Sequence, residues 1–319
     1  MEPKEHIYLA PFQGITNAVF RRVFFQHFNG ISKSYTPFFA QIDHETRLSP
    51  RKEHELRGQD EGFPELVPQI LSKDPVEILR FAHICKSRGF KELNWNIGCP
   101  WPQVADKKRG SGLLPFPEMI DDILHVVMSS MPLQFSIKCR LGYLNPEEVI
   151  NLIPVFNKYP LHEITVHGRI GKQLYSGNID HEIMSKIIPL IKAPFVYNGD
   201  IFTVEDFKGL SDKYTTVKRW MIGRGLLKNP FLAEEILGNE VIADKNKRLY
   251  SFLVDMYLSY RTDMQDRLTL LNILKEYWDY LGPSFNNEIK VKRLIKKVKT
   301  FKEYEDAVNK IFDECCTDS

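Results

Sequence analysis

The residues best placed for chemistry lie in the run Asn94-Trp95-Asn96-Ile97-Gly98-Cys99-Pro100. Residues 92–98 alternate like a buried strand, which puts Cys99 on a tight turn at the strand's C-terminal mouth. Pro100 stiffens that turn, and Gly98 lets a ligand come close to the backbone. A thiol with an ordinary pKa of about 8.5 is mostly protonated at neutral pH, so at such a mouth it can give up a proton. A cysteine presented in this way is placed for chemistry rather than for filling a core.

Polar groups recur at the same phase of the other strands: Gln13, Gln69, Asn96 with Cys99, Lys138 with Arg140, His167 with Arg169, Asn198 with Asp200, and Gly223 with Arg224. A random polar sprinkling would not keep that phase. The last two positions suggest a phosphate. Asn198-Gly199-Asp200 and Gly223-Arg224-Gly225 each follow a strand, and the second opens a helix, where glycine-freed amides and the Arg224 charge suit a phosphate. Alone, such a glycine turn is equally well structural. Lys138 alternates with Ser136 and Arg140 on one face of a mostly buried strand. A lysine there needs a partner: either an internal acid or a ligand that develops negative charge. Reduced flavin is such a ligand, because it carries its charge along one ring edge. His167 is either a hydrogen-bonded core histidine or part of the same site.

Positioning these groups requires strands over 7–11, 31–37, 66–71, 92–98, 135–141, 163–168, 194–200 and 218–223. Helical periodicity fills 18–28, 75–88, 117–130, 146–157 and 181–191, with Pro75, Pro117 and Pro146 at first-turn positions that need no amide donor. Eight strands alternating with helices over roughly 230 residues predict an α/β chain folded as a closed (β/α)8 TIM barrel, usually about 250 residues in size. An open doubly wound sheet is the alternative. The charged stretch 40–65 reads as a long loop over the barrel mouth or as a solvated insertion. After Pro230 only helices follow, over 249–264, 267–281, 287–300 and 301–314, with Gly282-Pro283 between two of them. The expected division is a catalytic barrel over 1–240 and a small helical bundle over 241–319.

Composition excludes several classes. Of 319 residues 43% are apolar and 26% charged, an ordinary globular balance. No apolar run reaches the ~18 residues of a membrane span, and the N-terminus lacks a basic-then-apolar leader. Five cysteines without CxxC pairing favour reduced thiols in the cytoplasm over disulfides or a metal site. Cys85 and Cys139 read as core, and Cys315 and Cys316 as incidental residues of a frayed tail. A net charge of +2 makes any polyanion contact a matter of where the charge lies.

Taken together, the motifs resemble the dihydrouridine synthase family. The match runs in order through LAPFQGITNAVFRR (9–22), Gln69 in VPQI, NIGCP (96–100), SIKCRLG (136–142), VHGRIGKQLYSG (166–177), VYNGDI (196–201) and MIGRGLLKNP (221–230). The resemblance implies an FMN-dependent enzyme that reduces uridine in RNA, by default tRNA, with NADPH as reductant and a monomeric, cytoplasmic state. By the same resemblance Cys99 is the general acid that protonates C5, opposite a hydride delivered from flavin N5 to C6. Pro11, Phe12, Gln13, Gln69, Lys138, His167, Asn198, Gly199, Asp200, Gly223 and Arg224 would hold FMN. Asn96, Arg169, Gln173 and Tyr175 would face the uracil, which must leave its stack to reach a buried flavin. Two places depart from the family pattern: Phe12 stands where methionine is usual, and Lys107-Lys108-Arg109-Gly110-Ser111-Gly112 has cations where the family has more glycine.

RNA contact also needs charge outside the pocket. Residues 289–302 contain Lys290, Lys292, Arg293, Lys296, Lys297, Lys299 and Lys302 without an acid, opposite Val291, Leu294, Ile295 and Val298. One face can pack while the other meets phosphates, although a merely solvated lysine face has the same pattern. Two other readings stay open at this level. One is a barrel flavoenzyme of the dihydroorotate or enoate reductase type, acting on a free small molecule. The other is an RNA-binding barrel that has lost catalysis.

Overall fold

A computed structural model describes residues 5–43, 47–58, 61–238 and 242–316. Nine parallel strands run β1 (His6–Leu9), β2 (Ile31–Tyr35), β3 (Glu65–Val67), β4 (Gln69–Ile70), β5 (Glu92–Ile97), β6 (Gln134–Gly142), β7 (Ile164–Ile170), β8 (Phe195–Asn198) and β9 (Arg219–Ile222). Their order in the sheet is β3-β2-β1-β9-β8-β7-β6-β5-β4. β3 and β4 are the two ends of that order and are separated only by Pro68. They are two halves of one barrel strand, the first paired with β2 and the second with β5. Proline has no amide to donate, so the ladder breaks there. The ring still holds across the break, because the Asn94 amide donates to the Pro68 carbonyl at 2.9 Å. The fold is therefore the eight-stranded barrel expected, with its third strand divided by one residue.

Helices expected from periodicity form close to their predicted bounds, at Ala18–His27, Pro75–Ser87, Pro117–Ser130, Glu148–Phe156 and His181–Ile187. The short helices Pro102–Ala105 and Leu232–Ile236 were not expected, and the longest one missed is Val204–Lys213 before β9. Its sequence offers only Phe207 and Leu210 as buried residues, with Gly209 between them. The readable signal was its start, a reciprocal cap between Thr203 and Asp206. Residues 40–65 contain a short helix, Pro50–Glu55, anchored to the body of the protein rather than merely solvated. Glu55 pairs with Arg21 at 3.4 Å, and His54 with Asp263 at 2.8 Å.

The barrel interior is polar along one side. At its floor Lys33 bonds both Glu92 (2.7 Å) and Glu163 (3.0 Å), while Tyr8 (2.7 Å) and Arg219 (3.0 Å) also reach Glu163. From Glu92 a column of hydrogen bonds climbs the strands. Ser136 donates to Glu92, Asn94 Nδ2 to Ser136 at 2.8 Å, Gln69 Nε2 to Asn94 Oδ1 at 2.8 Å, and Asn96 Nδ2 to Gln69 Oε1 at 2.7 Å. Asn96 Oδ1 then accepts the amides of Gly98 (3.0 Å) and Cys99 (2.6 Å). All donors point down toward the Glu92 carboxylate, so the turn that carries Cys99 is tied to the barrel floor.

The tail helices are Lys245–Asp263, Leu270–Leu281, Glu288–Lys297 and Phe301–Cys315. The expected boundary at residue 240 falls at residues outside those described. On either side of it the packing is continuous. Phe20 and Phe24 of the first barrel helix, with Phe28 at its end, meet Phe252 at ring distances of 5.0–6.2 Å, and Phe20 meets Tyr277 at 5.5 Å. Barrel and tail residues share one apolar cluster. Cys315 belongs to it, 1% exposed, rather than to a frayed end. The helix beginning at Phe301 runs through it, and its carbonyl accepts the Asn286 amide at 3.0 Å. Cys85 and Cys139 are fully buried.

Candidate active site

The C-terminal ends of the strands enclose a cavity of about 360 Å³. Cys99 and the eleven residues assigned to the cofactor, Pro11, Phe12, Gln13, Gln69, Lys138, His167, Asn198, Gly199, Asp200, Gly223 and Arg224, all contribute to its lining. Parallel register explains the convergence. Asn96 lies level with Lys138, and His167 is level with both Arg140 and Asn198, so alternate side chains from neighbouring strands meet at one height.

The Cys99 thiol sits 7% exposed. Burial pushes its pKa up; the Trp101 amide and the Arg140 and Lys138 charges oppose this without cancelling it. The group is thus a protonated thiol at neutral pH. Its turn is held from both sides. Arg140 Nε donates to the Gly98 carbonyl at 2.9 Å, and the Ser111 amide donates to the Cys99 carbonyl at 2.9 Å. Gly110 has a left-handed φ of +54°, and a Cβ there would lie 2.3 Å from the Cys99 oxygen. The glycines of 110–112 therefore clasp the cysteine turn, a stronger role than a glycine pair shows in sequence.

Lys138 has no acid partner among the described residues. Burial, reinforced by the Arg140 charge, lowers its pKa to about 8. The His167 ring is held well below its usual range by burial and then by Arg140 and Lys138, so it is neutral, and its Nδ1 is buried with no hydrogen-bond partner. An unpaired cation and an unsatisfied ring nitrogen in one cavity are groups that await a ligand.

The four residues assigned to the uracil are placed differently. Tyr175 lines the cavity, with its ring against Phe12 (5.9 Å between centroids) and under the guanidinium groups of Arg224 (5.2 Å) and Arg140 (5.5 Å). Asn96 lines it too, but its amide is spent on Gln69 and the Cys99 turn. Arg169 and Gln173 lie outside the lining. Arg169 forks onto Asp200 and binds the Ser176 and Gly177 carbonyls. Gln173 folds back to accept the Ile170 amide at 2.8 Å. Both shape the loop over 170–177 that carries Tyr175. Asp200 also takes Arg224 at 2.8 Å. Burial pushes the Asp200 carboxyl up, but the two arginines outweigh it and leave its pKa lowered.

Sequence reasoning left several wall residues without a role. Arg140, read only as a strand end, bonds three carbonyls, those of Gly98, Ile170 and Leu174, and so joins the Cys99 turn to the Tyr175 loop. Glu276 and Tyr280 reach the cavity from the tail, a placement with no local signal in the chain. Tyr280 meets Phe12 edge-on at 5.3 Å.

The basic segment forms the helix Glu288–Lys297, which ends three residues earlier than expected because Val298 leaves helical geometry. Val291 and Ile295 are buried, as the stripe predicted. Acids from outside the segment engage part of its charge: Lys290 pairs with Glu314 and Lys292 with Glu288. Arg293, Lys296, Lys297 and Lys299 are exposed and have no acid partner among the described residues.

Comparison with known proteins agrees with this arrangement. A solved old yellow enzyme homologue from Zymomonas mobilis shares the fold at 10% identity, with a TM-score of 0.53 over 76% of this chain and 90% of that one. The curated protein "tRNA-dihydrouridine synthase B" of Pasteurella multocida is 30% identical over 72% of this chain and 68% of its own length. The "tRNA-dihydrouridine(16) synthase" of Vibrio parahaemolyticus is 26% identical over 96% and 95%. The family described as "Dihydrouridine synthase (Dus)" matches residues 8–316, nearly the whole chain and every motif around the cavity. The chain belongs to the dihydrouridine synthase family.

Proposed function

We propose that this protein reduces uridine in tRNA to 5,6-dihydrouridine, with FMN as its cofactor and NADPH as the source of electrons. One observation carries the reading: a thiol kept protonated by burial shares a cavity with a buried lysine and a histidine nitrogen that lack protein partners. The residues fit FMN by their donor chemistry. Lys138 offers a cation to an electron-rich ring edge, and neutral His167 offers one hydrogen bond. Gly223-Arg224-Gly225 presents backbone and charge to a phosphate, with no space for a side chain at Gly225, where a Cβ would lie 1.9 Å from the Ile201 oxygen. Bound FMN, once reduced, supplies the hydride that C6 of the uracil accepts.

The protein's own part is to place the base and hold the proton. Cys99 gives its proton to C5, and the raised pKa keeps that proton in place through neutral pH. Asn96 and Arg140 fix the turn from below and beside, so the thiol needs no reorganisation when the base arrives. Tyr175, backed by Phe12, offers an aromatic edge to the entering ring.

The test is direct. Purified protein should be yellow and release FMN rather than FAD on heating, since the site has one phosphate cradle and no GxGxxG dinucleotide unit. With NADPH it should form dihydrouridine in unmodified tRNA and not in free uridine. Finding FAD, or no flavin after reconstitution with FMN, would overturn the cofactor; equal turnover of free uridine would move the protein to the small-molecule class.

The exposed basic helix supports the RNA part of the reading. Changing Arg293, Lys296 and Lys299 together to glutamine should weaken tRNA binding and flatten its salt dependence by about one unit of log–log slope per lost phosphate contact. Flavin content should not change. Identical binding curves at several salt concentrations would return this face to simple solvation.

A further inference from the structure

The loop between Cys99 and Ser111 is closed on itself. Its two ends meet where the Ser111 amide and hydroxyl donate to the Cys99 carbonyl, at 2.9 and 3.2 Å. Between them a compact turn starts at Trp101, whose carbonyl accepts the amides of Val104 and Ala105, both at 2.9 Å. It ends at Lys107, Lys108 and Arg109.

Trp101 is unlike the other tryptophans of the chain. Trp95, Trp220 and Trp278 are 0–2% exposed, whereas Trp101 is 52% exposed and stacks on no ring among the described residues. It nevertheless borders the cavity, two residues from the thiol. An indole left half in water at the rim of a site keeps part of its ring open, the kind of surface on which a base stacks. The far end of the loop carries the matching charge. Lys107, Lys108 and Arg109 have no acid partner among the described residues, and Lys73 joins them by donating to the Lys107 carbonyl at 3.0 Å. Asp106 is the one acid within the turn. Part of this charge is tied locally, since Lys108 lies over the Phe116 ring at 4.2 Å.

We propose that Trp101 and the cations of its loop form a platform for RNA beside the target uridine, with a neighbouring base stacked on the indole and its phosphates toward Lys107 and Lys73. The inference rests on the tRNA reading above and adds to it where the strand runs on leaving the cavity. A base flipped into a pocket drags its neighbours across the rim, and this rim carries one open aromatic face and a basic edge. Because the loop is rooted at Cys99 on both ends, a base seated on Trp101 would lie on the same rigid turn that holds the thiol.

The arrangement has its own reporter. Only Trp101 is open to a collisional quencher, so acrylamide quenching of the flavin-loaded full-length protein reads this residue. Adding unmodified tRNA should suppress that quenching, and adding NADP⁺ should not. Trp101→Leu should remove the quenchable component of the free protein and weaken tRNA affinity roughly 5- to 150-fold, the usual range for one lost base stack. Trp101→Tyr should restore most of that affinity, which a merely space-filling residue would not require. Lys107→Gln should lower the salt slope of binding by about one unit. Unchanged quenching with tRNA bound, protection by NADP⁺ instead, or full affinity in Trp101→Leu overturns the platform. These readouts are separate from the reaction itself. A wild-type protein that protects Trp101 with tRNA yet makes no dihydrouridine would sink the proposed activity and leave the platform standing.

Discussion

Replacing Cys99 with alanine is expected to slow dihydrouridine formation about 10²–10⁴-fold, the usual contribution of a positioned general acid. The substitution removes the proton donor and little else. Lys138 and His167, which we propose hold the flavin, are on other strands, so the variant should keep the proposed flavin and its reduction by NADPH. Single-turnover oxidation of pre-reduced enzyme by tRNA isolates the step. In the wild type, ionisation of Cys99 should not limit this rate until the pH passes about 8.5, the ordinary thiol value, because burial raises the pKa of Cys99. A fall nearer pH 8 that persists in Cys99→Ala belongs to Lys138. Cys85→Ala and Cys139→Ala, both deep in the apolar core, should leave the step nearly intact. A Cys99→Ala enzyme that reoxidises at the wild-type rate would show that the proton comes from another group.

The second large effect is on stability. Lys33→Met should cost about 3–5 kcal/mol, the usual result of stripping one partner from a buried ion pair. Lys33 is 5% exposed and holds Glu92 and Glu163 together beneath the polar column. Burial already raises the Glu92 pKa, against the lowering effect of Lys33; removing the ammonium raises it further. A carboxyl whose folded pKa exceeds its unfolded value of about 4.3 binds protons more readily when folded. Its stability contribution is then greatest at low pH and is lost as pH rises through the folded value. The deficit of Lys33→Met should therefore be full at pH 8 and shrink toward pH 5, and adding Glu92→Gln should recover part of it. Denaturant midpoints at the two pH values measure this. A deficit independent of pH would mean that lost packing, not stranded charge, is responsible.

Much of the barrel was legible because its strands are short apolar runs with polar ends, and a parallel sheet repeats that pattern at a fixed phase. The same phase located the cavity, since a residue's place along a strand sets its height in the barrel. Direction was less legible. Arg169 and Arg140 both end strands, yet one turns to Asp200 and the other to the Cys99 turn, and nothing local in the sequence separates them. Asn96 read as a contact for the base, but alternation cannot say that its amide is taken by Gln69 and by the Cys99 and Gly98 amides. Glu276 and Tyr280 were beyond reach because their approach depends on how the tail packs. The division of the third strand was written plainly in Pro68, a residue with no donor in a strand that needs one. Cys315 was misplaced because nearness to the chain end is a poor guide to burial.

The phenylalanine seam between the first barrel helix and Phe252 has a consequence for how this molecule can be taken apart. A chain cut near residue 240 would open Phe20, Phe24 and Phe28 to water, and it would also remove Tyr280 and Glu276 from the cavity wall. The tail should thus not be separable from the barrel as an independent arm. The two parts should therefore unfold together, and the cavity wall is complete only once the helix Leu270–Leu281 has closed on the barrel.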